Sequence, residues 1–239
     1  MYYISTMQIL ILCGGLGTRL RPLTNDIPKP MVPIDGKPFL EYLIEYYKGQ
    51  GANDFILAVG YLREQIIDYF GDGSAWGVTI KYTIEENPLG TGGAIKLAED
   101  LVADNFVVVN GDTFLELDLK GLMDFHKEKQ ALCTMSLKLI KRNQNSGFVE
   151  MNEDSEITTF ASIETQEEAG LINAGVCVMS KGILDLMPEG EFSLEYEIFE
   201  KLKKDFYGWE VQDGYFIDIG TFDTYNQFVE EFHKINLCQ

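Results

Sequence analysis

Short apolar runs alternate with amphipathic stretches over the first 130 residues, and few folds accommodate that alternation. Gln8–Cys13, Phe55–Gly60 and Phe106–Asn110 (FVVVN) read as buried strands, and Val78–Ile84 reads as a strand with partial alternation. Phe39–Gln50 (FLEYLIEYYKGQ), Leu62–Phe70 and Thr91–Ala103 carry helical periodicity, the first stopped by Gly51. Strands apolar on both faces, with helices between them, predict a parallel sheet covered on both sides.

After about residue 130 the texture becomes more antiparallel. Leu132–Ile140, Gly147–Asn152, Glu156–Ser162 and Leu171–Ser180 read as strands joined by short polar turns. Helices are expected over Lys181–Met187, Leu194–Lys204 and Thr221–Lys234, and a last hairpin over Trp209–Gln212 and Tyr215–Ile219. His126 (in DFHKEK) and His233 read as exposed helix residues. Residues 1–6 read as a short extension, and the rest as one α/β domain without repeats or flexible linkers.

A hydrophobic content of 46% is ample for a core. The balance of 38 acidic to 19 basic residues argues against nucleic acid and against an anionic membrane surface, since both need clustered Lys and Arg. Cys13, Cys133, Cys177 and Cys238 are far apart and form no CxxC pair, so a zinc site is disfavoured and a reduced, cytoplasmic protein is expected. The start lacks the basic region of a signal peptide, and no run is long enough to span a membrane.

In open parallel sheets, ligands sit in the loops at the carboxyl ends of the strands. CGGLGTR, leaving the first strand, suits a nucleotide base or phosphate, because glycines let backbone N–H groups approach an anion. The stretch is not a dinucleotide-binding fingerprint, since Leu20 stands where the third glycine belongs, and it lacks the Gly-Lys-Ser/Thr of a P-loop. Arg19 can grip two phosphate oxygens at once, and Lys29 is held between Pro28 and Pro30. An acidic protein needs such a local positive patch to hold a polyanion.

The stretch ILCGGLGTRLRPLTNDIPKPMVPIDGKPFLEY resembles the signature of the sugar-phosphate nucleotidyltransferase family. The resemblance continues through NPLGTGGAIKLA, VVNGD, LINAGVCVM and YFIDIGT, which with the opening stretch make five ordered motifs covering nearly the whole chain. It is closest for the subgroup of D-glycero-α-D-manno-heptose 1-phosphate guanylyltransferases. The fold it implies is Rossmann-like and GT-A-like, a doubly wound, mostly parallel to mixed sheet with a small antiparallel sugar-binding portion. Residues 7–130 would then form the nucleotide-binding half and 131–239 the sugar-phosphate half. The partners implied are a nucleoside triphosphate and a sugar 1-phosphate. A compact homodimer is compatible with the sequence, with no interface legible.

Asp112 ends FVVVNGD, and Asp218 lies inside the apolar stretch YFIDIG. An acid so placed is expensive to bury unless it is paired, protonated or bound to metal. Two carboxylates, with substrate phosphates and waters, suit Mg²⁺, and the resemblance makes Asp112 and Asp218 its ligands. Arg19, Lys29, Asp112 and Asp218 are the catalytic candidates. The nucleotide candidates are Cys13, Gly14, Gly15, Gly17, Thr18, Arg19, Glu85, Pro88, Gly90 and Thr91. The implied reaction is in-line attack of the sugar phosphate on the α-phosphorus, with loss of pyrophosphate. A phosphomonoester has a second pKa of about 6, so no catalytic base is required. This accords with the lack of a Ser/His/Asp or Cys/His constellation.

By the family pattern, the residue three before the proline of PLGTGG meets the base edge, here Glu85. A carboxylate only accepts hydrogen bonds. Guanine offers N1–H and N2–H₂ side by side, which ranks GTP above UTP or dTTP, and those above CTP and ATP. Asn110, Gly147, Glu164 and Asn173 are the sugar candidates by position. The lysine that usually follows the acid before INAG is missing here, leaving Lys138, Lys141 or Arg142 as substitutes. Three alternatives stand beside this reading: a uridylyl-, thymidylyl- or cytidylyltransferase for another sugar or small alcohol phosphate, a non-catalytic nucleotide-sugar sensor, and a nicotinamide-dependent oxidoreductase. The missing third glycine counts against the last.

Overall fold

The computed structural model describes residues 7–141, 148–161 and 169–234. The chain opens with β1 (Met7–Leu12), followed by two-residue strands β2 (Pro33–Ile34) and β3 (Lys37–Pro38) and helix α1 (Phe39–Gly49). Then come β4 (Ala52–Val59), α2 (Arg63–Phe70), β5 (Thr79–Ile84), α3 (Gly90–Leu97), β6 (Asn105–Asn110), β7 (Thr113–Leu115) and α4 (Leu119–Lys129). The second half holds β8 (Cys133–Lys141), β9 (Phe148–Met151), β10 (Ile157–Ala161), β11 (Ala169–Ser180), β12 (Phe206–Glu210), β13 (Phe216–Asp218) and α5 (Phe222–Glu231).

One large sheet runs β10-β9-β11-β6-β1-β4-β5, and β8 joins β11 to β12. The β1–β4, β1–β6 and β4–β5 pairs are parallel, whereas β11 lies antiparallel to β6 and β8. The continuous apolar runs follow from this layout, because the central strands are buried on both faces. Ile9 and Ile11 of β1 enter a core with Phe39, Leu43, Phe114 and Phe228 on one face. Leu10 enters a second core with Ile95, Phe106, Ile183 and Phe199 on the other.

Four expectations are corrected. Trp209–Gln212 and Tyr215–Ile219 do not form a hairpin: β12 runs parallel to β8, and β13 pairs with β7. The Asp213-Gly214 turn signal between them is local, and longer-range pairing overrides it. The helix expected over Thr91–Ala103 spans Gly90–Leu97, and that expected over Leu194–Lys204 is a π-helical turn at Glu195–Phe199. His126 is not exposed but 1% accessible, on the buried face of α4 with Leu119, Leu122 and Met123. Its ring nitrogens meet Thr134 Oγ1 at 2.9 Å, Ser180 Oγ at 3.0 Å and Asn105 Oδ1 at 3.1 Å. Burial, aided by the charge of Lys127, lowers its pKa to about 4. His233 is exposed as expected.

Candidate active site

Strand order reverses around β1, with β4 on one side and β6 on the other. The loops leaving β1 and β6 therefore diverge and leave a crevice between them. A cavity of about 300 Å³ occupies it. Its walls include Cys13, Gly14 and Gly15 after β1, Asn110 and Asp112 after β6, and Glu85, Pro88, Gly90 and Thr91 from the turn into α3. Lys29 also lines it. Most of the candidates chosen from the sequence thus share one cavity. Gly17, Thr18 and Arg19 lie in the continuing turn.

That turn is built from the glycines outward. Gly17 is left-handed (φ 60°), a conformation that disfavours side chains, and it starts a short 3₁₀ turn at Thr18–Leu20. Its carbonyl accepts the Thr24 hydroxyl at 2.7 Å. A Cβ at Gly17 would stand 3.1 Å from both Lys29 Cβ and Thr24 Cγ2, so the loop folds tightly onto the lysine. Thr24 is fully buried and was not among the sequence candidates, although it ends the RPLT motif. Lys29 opens a second 3₁₀ turn containing Pro30 and is 8% accessible.

Lys29 forms an ion pair with Asp112. Pairing of β7 with β13 brings the second acid alongside: Ile219 N–H donates to the Asp112 carbonyl at 2.9 Å. Asp218 accepts the Gly220 N–H. Around the Gly220 α-carbon, the Asp218 carboxylate, an Arg19 guanidinium nitrogen and Lys29 Nζ converge. Burial, reinforced by the Asp112 charge, raises the pKa of Asp218, while Lys29, the Gly220 N–H and Arg19 oppose the rise. Two crowded carboxylates beside a cavity suit a divalent cation that keeps oxygen ligands from substrate. Among the described residues, no three His, Cys, Asp or Glu side chains form a closed metal cage.

Glu85 stands at the opposite wall. Its Oε2 accepts Leu89 N–H at 2.9 Å, and its Oε1 lies against the Gly14 α-carbon, where a Cβ would collide with it. Burial raises its pKa, and the Leu89 N–H partly offsets this. Burial, with the charges of Asp112 and Glu85, drives the Cys13 thiol pKa upward, so Cys13 is a neutral wall. The Thr91 hydroxyl points away from a simple ligand role: it donates to Glu195 Oε2 at 2.8 Å and accepts Leu194 N–H at 2.9 Å. Glu195 is a polar partner that the sequence reading missed.

On the sugar side, Asn110 Nδ2 approaches Gly175, and Asn173 Oδ1 accepts Gly175 N–H at 3.0 Å. Both candidates therefore flank the irregularity in β11 between Asn173 and Cys177. Lys138 Nζ donates to the carbonyls of Gln212 and Gly214, both at 3.0 Å. Lys141 is exposed at the end of β8. Gly147, Glu164 and Arg142 lie outside the described residues.

Residues 8–234 match the nucleotidyl transferase family. The chain belongs to that family. This nucleotidyltransferase is 42% identical over 229 residues to the D-glycero-α-D-manno-heptose 1-phosphate guanylyltransferase of Aneurinibacillus thermoaerophilus, covering 94% of this chain and 98% of that one. It is 42% identical over 224 residues to the enzyme of the same name from Campylobacter jejuni, covering 93% and 99%. Among solved structures, HddC from Yersinia pseudotuberculosis complexed with GMP-PN superposes with a TM-score of 0.83 at 36% identity, covering 95% of this chain and 100% of that one. A putative glucose-1-phosphate thymidylyltransferase from Bacillus anthracis shares the fold, with a TM-score of 0.86 at 20% identity and coverage of 98% of both chains. No helix among the described residues is long and apolar enough to cross a membrane.

Proposed function

We propose that this nucleotidyltransferase joins GTP to D-glycero-α-D-manno-heptose 1-phosphate, releasing pyrophosphate and forming an activated heptose for cell-surface polysaccharide synthesis in the cytoplasm. Residues 7–130 serve the nucleotide and the remainder the sugar phosphate. The observation that carries the base assignment is the half-buried Glu85 carboxylate in the cavity wall, oriented by Leu89 N–H. Its acceptor oxygens match the adjacent N1–H and N2–H₂ of guanine. The similarity to two heptose 1-phosphate guanylyltransferases over nearly their full length supports the same reading.

In this reading, the glycine turn at Gly14, Gly15 and Gly17 brings backbone N–H groups to the nucleotide. Arg19 and Lys29 hold fixed positive charge where pyrophosphate departs, so little reorganisation accompanies the reaction. Asp112 and Asp218 would hold Mg²⁺, which would supply neutralisation of phosphate charge. Asn110 and Asn173 orient the sugar against the α-phosphate, and alignment supplies much of the rate. The attacking phosphate is already mostly dianionic near neutral pH, with a second pKa of about 6. Accordingly, no side chain here has to remove a proton.

The test is pyrophosphate release with Mg²⁺, crossing GTP, UTP, dTTP, CTP and ATP against sugar 1-phosphates of heptose, mannose, glucose and N-acetylmuramate. The expected maximum is GTP with the D-glycero-α-D-manno-heptose ester. A maximum with another sugar would reject the substrate, and one with another nucleotide would reject the role of Glu85.

A further inference from the structure

The segment 190–195 lies across the start of α3 as a strap. Phe192 N–H donates to the Leu89 carbonyl at 2.9 Å, and the Phe192 carbonyl accepts Gly92 N–H at 3.1 Å. The glycines of GTGG are required by this approach. A Cβ at Gly92 would overlap the Phe192 ring, and one at Gly93 would strike the Gly190 carbonyl. The strap is fastened at its end by Glu195, whose Oε2 accepts both the Thr91 and Ser193 hydroxyls at 2.8 Å. Thr91 also accepts Leu194 N–H, so its hydroxyl is fixed by two partners from the strap. Glu195 opens the π-helical turn Glu195–Phe199, whose Ile198 and Phe199 are buried. Such turns occur frequently at functional sites.

Leu89 connects this strap to the far wall of the cavity. Its carbonyl is held by Phe192, and its N–H is held by Glu85. We propose that Glu195 is a positioning residue for base recognition: by holding Thr91 and the strap against Leu89, it sets the Glu85 carboxylate at the orientation that reads guanine. The proposal rests on Glu85 contacting the base, as described under the proposed function. It gives Thr91 and the GTGG glycines a role different from ligand contact. They let a segment from the second half of the chain adjust a recognition group belonging to the first.

The experiment compares binding of GTP and inosine triphosphate, which lacks the 2-amino group, by calorimetry on the full chain. The wild-type protein is expected to favour GTP about tenfold, the value of one hydrogen bond to a carboxylate. Glu195→Ala is expected to weaken GTP about tenfold and bring the GTP-to-inosine-triphosphate ratio toward one. Glu195→Gln, which retains an acceptor oxygen, restores most of the ratio. Thr91→Val, nearly isosteric, reproduces the loss without changing charge and decides the matter if Glu195→Ala does not fold. A folded Glu195→Ala or Thr91→Val protein with the wild-type ratio would overturn the proposal. Equal affinities in the wild-type protein would instead refute base reading by Glu85, and this proposal with it, before any variant is measured.

Discussion

The two ends of β6 treat buried polar groups in opposite ways. At the amino end, Asn105, Thr134, Ser180 and His126 form a closed network in which each His126 ring nitrogen has a partner. Ser180 also donates to the Ala131 carbonyl at 2.6 Å. There the fold removes charge, holding His126 neutral well below its ordinary pKa. At the carboxyl end, Asn110 leads into Asp112, and the fold gathers charge instead: Asp112, Asp218, Lys29 and Arg19 crowd together. The raised pKa of Asp218 shows that its neighbours do not fully repay its burial and the charge of Asp112. A satisfied network stabilises the fold, whereas an unbalanced one is reserved for what binds there.

The largest effect is expected at the carboxyl end, where Asp112→Asn should lower turnover with Mg²⁺ by about 10³-fold. Steady-state pyrophosphate release would measure this, and near-normal rates would remove Asp112 from the metal site. On the opposite wall, Glu85→Gln should reduce the preference for GTP over UTP about tenfold, since an amide offers one acceptor in place of two. Competition between the two nucleotides reads that ratio. At the amino end, His126→Ala should cost about 3 kcal/mol by orphaning buried partners, measured by denaturant unfolding.

The pH dependence separates the two ends further. His126 has a folded pKa of about 4, below its ordinary 6.5. The unfolded chain therefore takes up a proton first, and the stability gained by keeping His126 neutral is lost as pH falls from about 6.5 toward about 4. Asp218 has the opposite sign. Its folded pKa lies above 3.8, so ionising it detracts from stability as pH rises through the carboxylate range. Melting curves from pH 4 to pH 8 should show the acid-side loss blunted in His126→Ala. A loss of unchanged size in that variant would assign it to other groups.

The same contrast explains what could be read from the sequence. The central strands were legible because burial on both faces leaves unbroken apolar runs, and the loops at their carboxyl ends followed. Asp218 stood out as an acid inside such a run. His126 was obscured by its polar neighbours in DFHKEK, although Leu119, Leu122, Met123 and His126 fall at the spacing of one helix face. Burial of that face depends on β8, which follows directly, and on β11, whose Ser180 lies 54 residues beyond His126. The pairings of β12 and β13, and the partnership of Thr91 with Glu195, 104 residues apart, are likewise long-range. Local patterns carry no information about them.

The most direct test measures melting temperature and pyrophosphate release on the same samples of Asp218→Asn and His126→Ala at pH 7. Asp218→Asn should lose turnover by about 10³-fold while melting at or slightly above the wild-type temperature. His126→Ala should melt roughly 10 °C lower yet keep near-normal turnover at temperatures where it is folded. Loss of stability in Asp218→Asn together with retained turnover would contradict the division of roles between the two ends of β6.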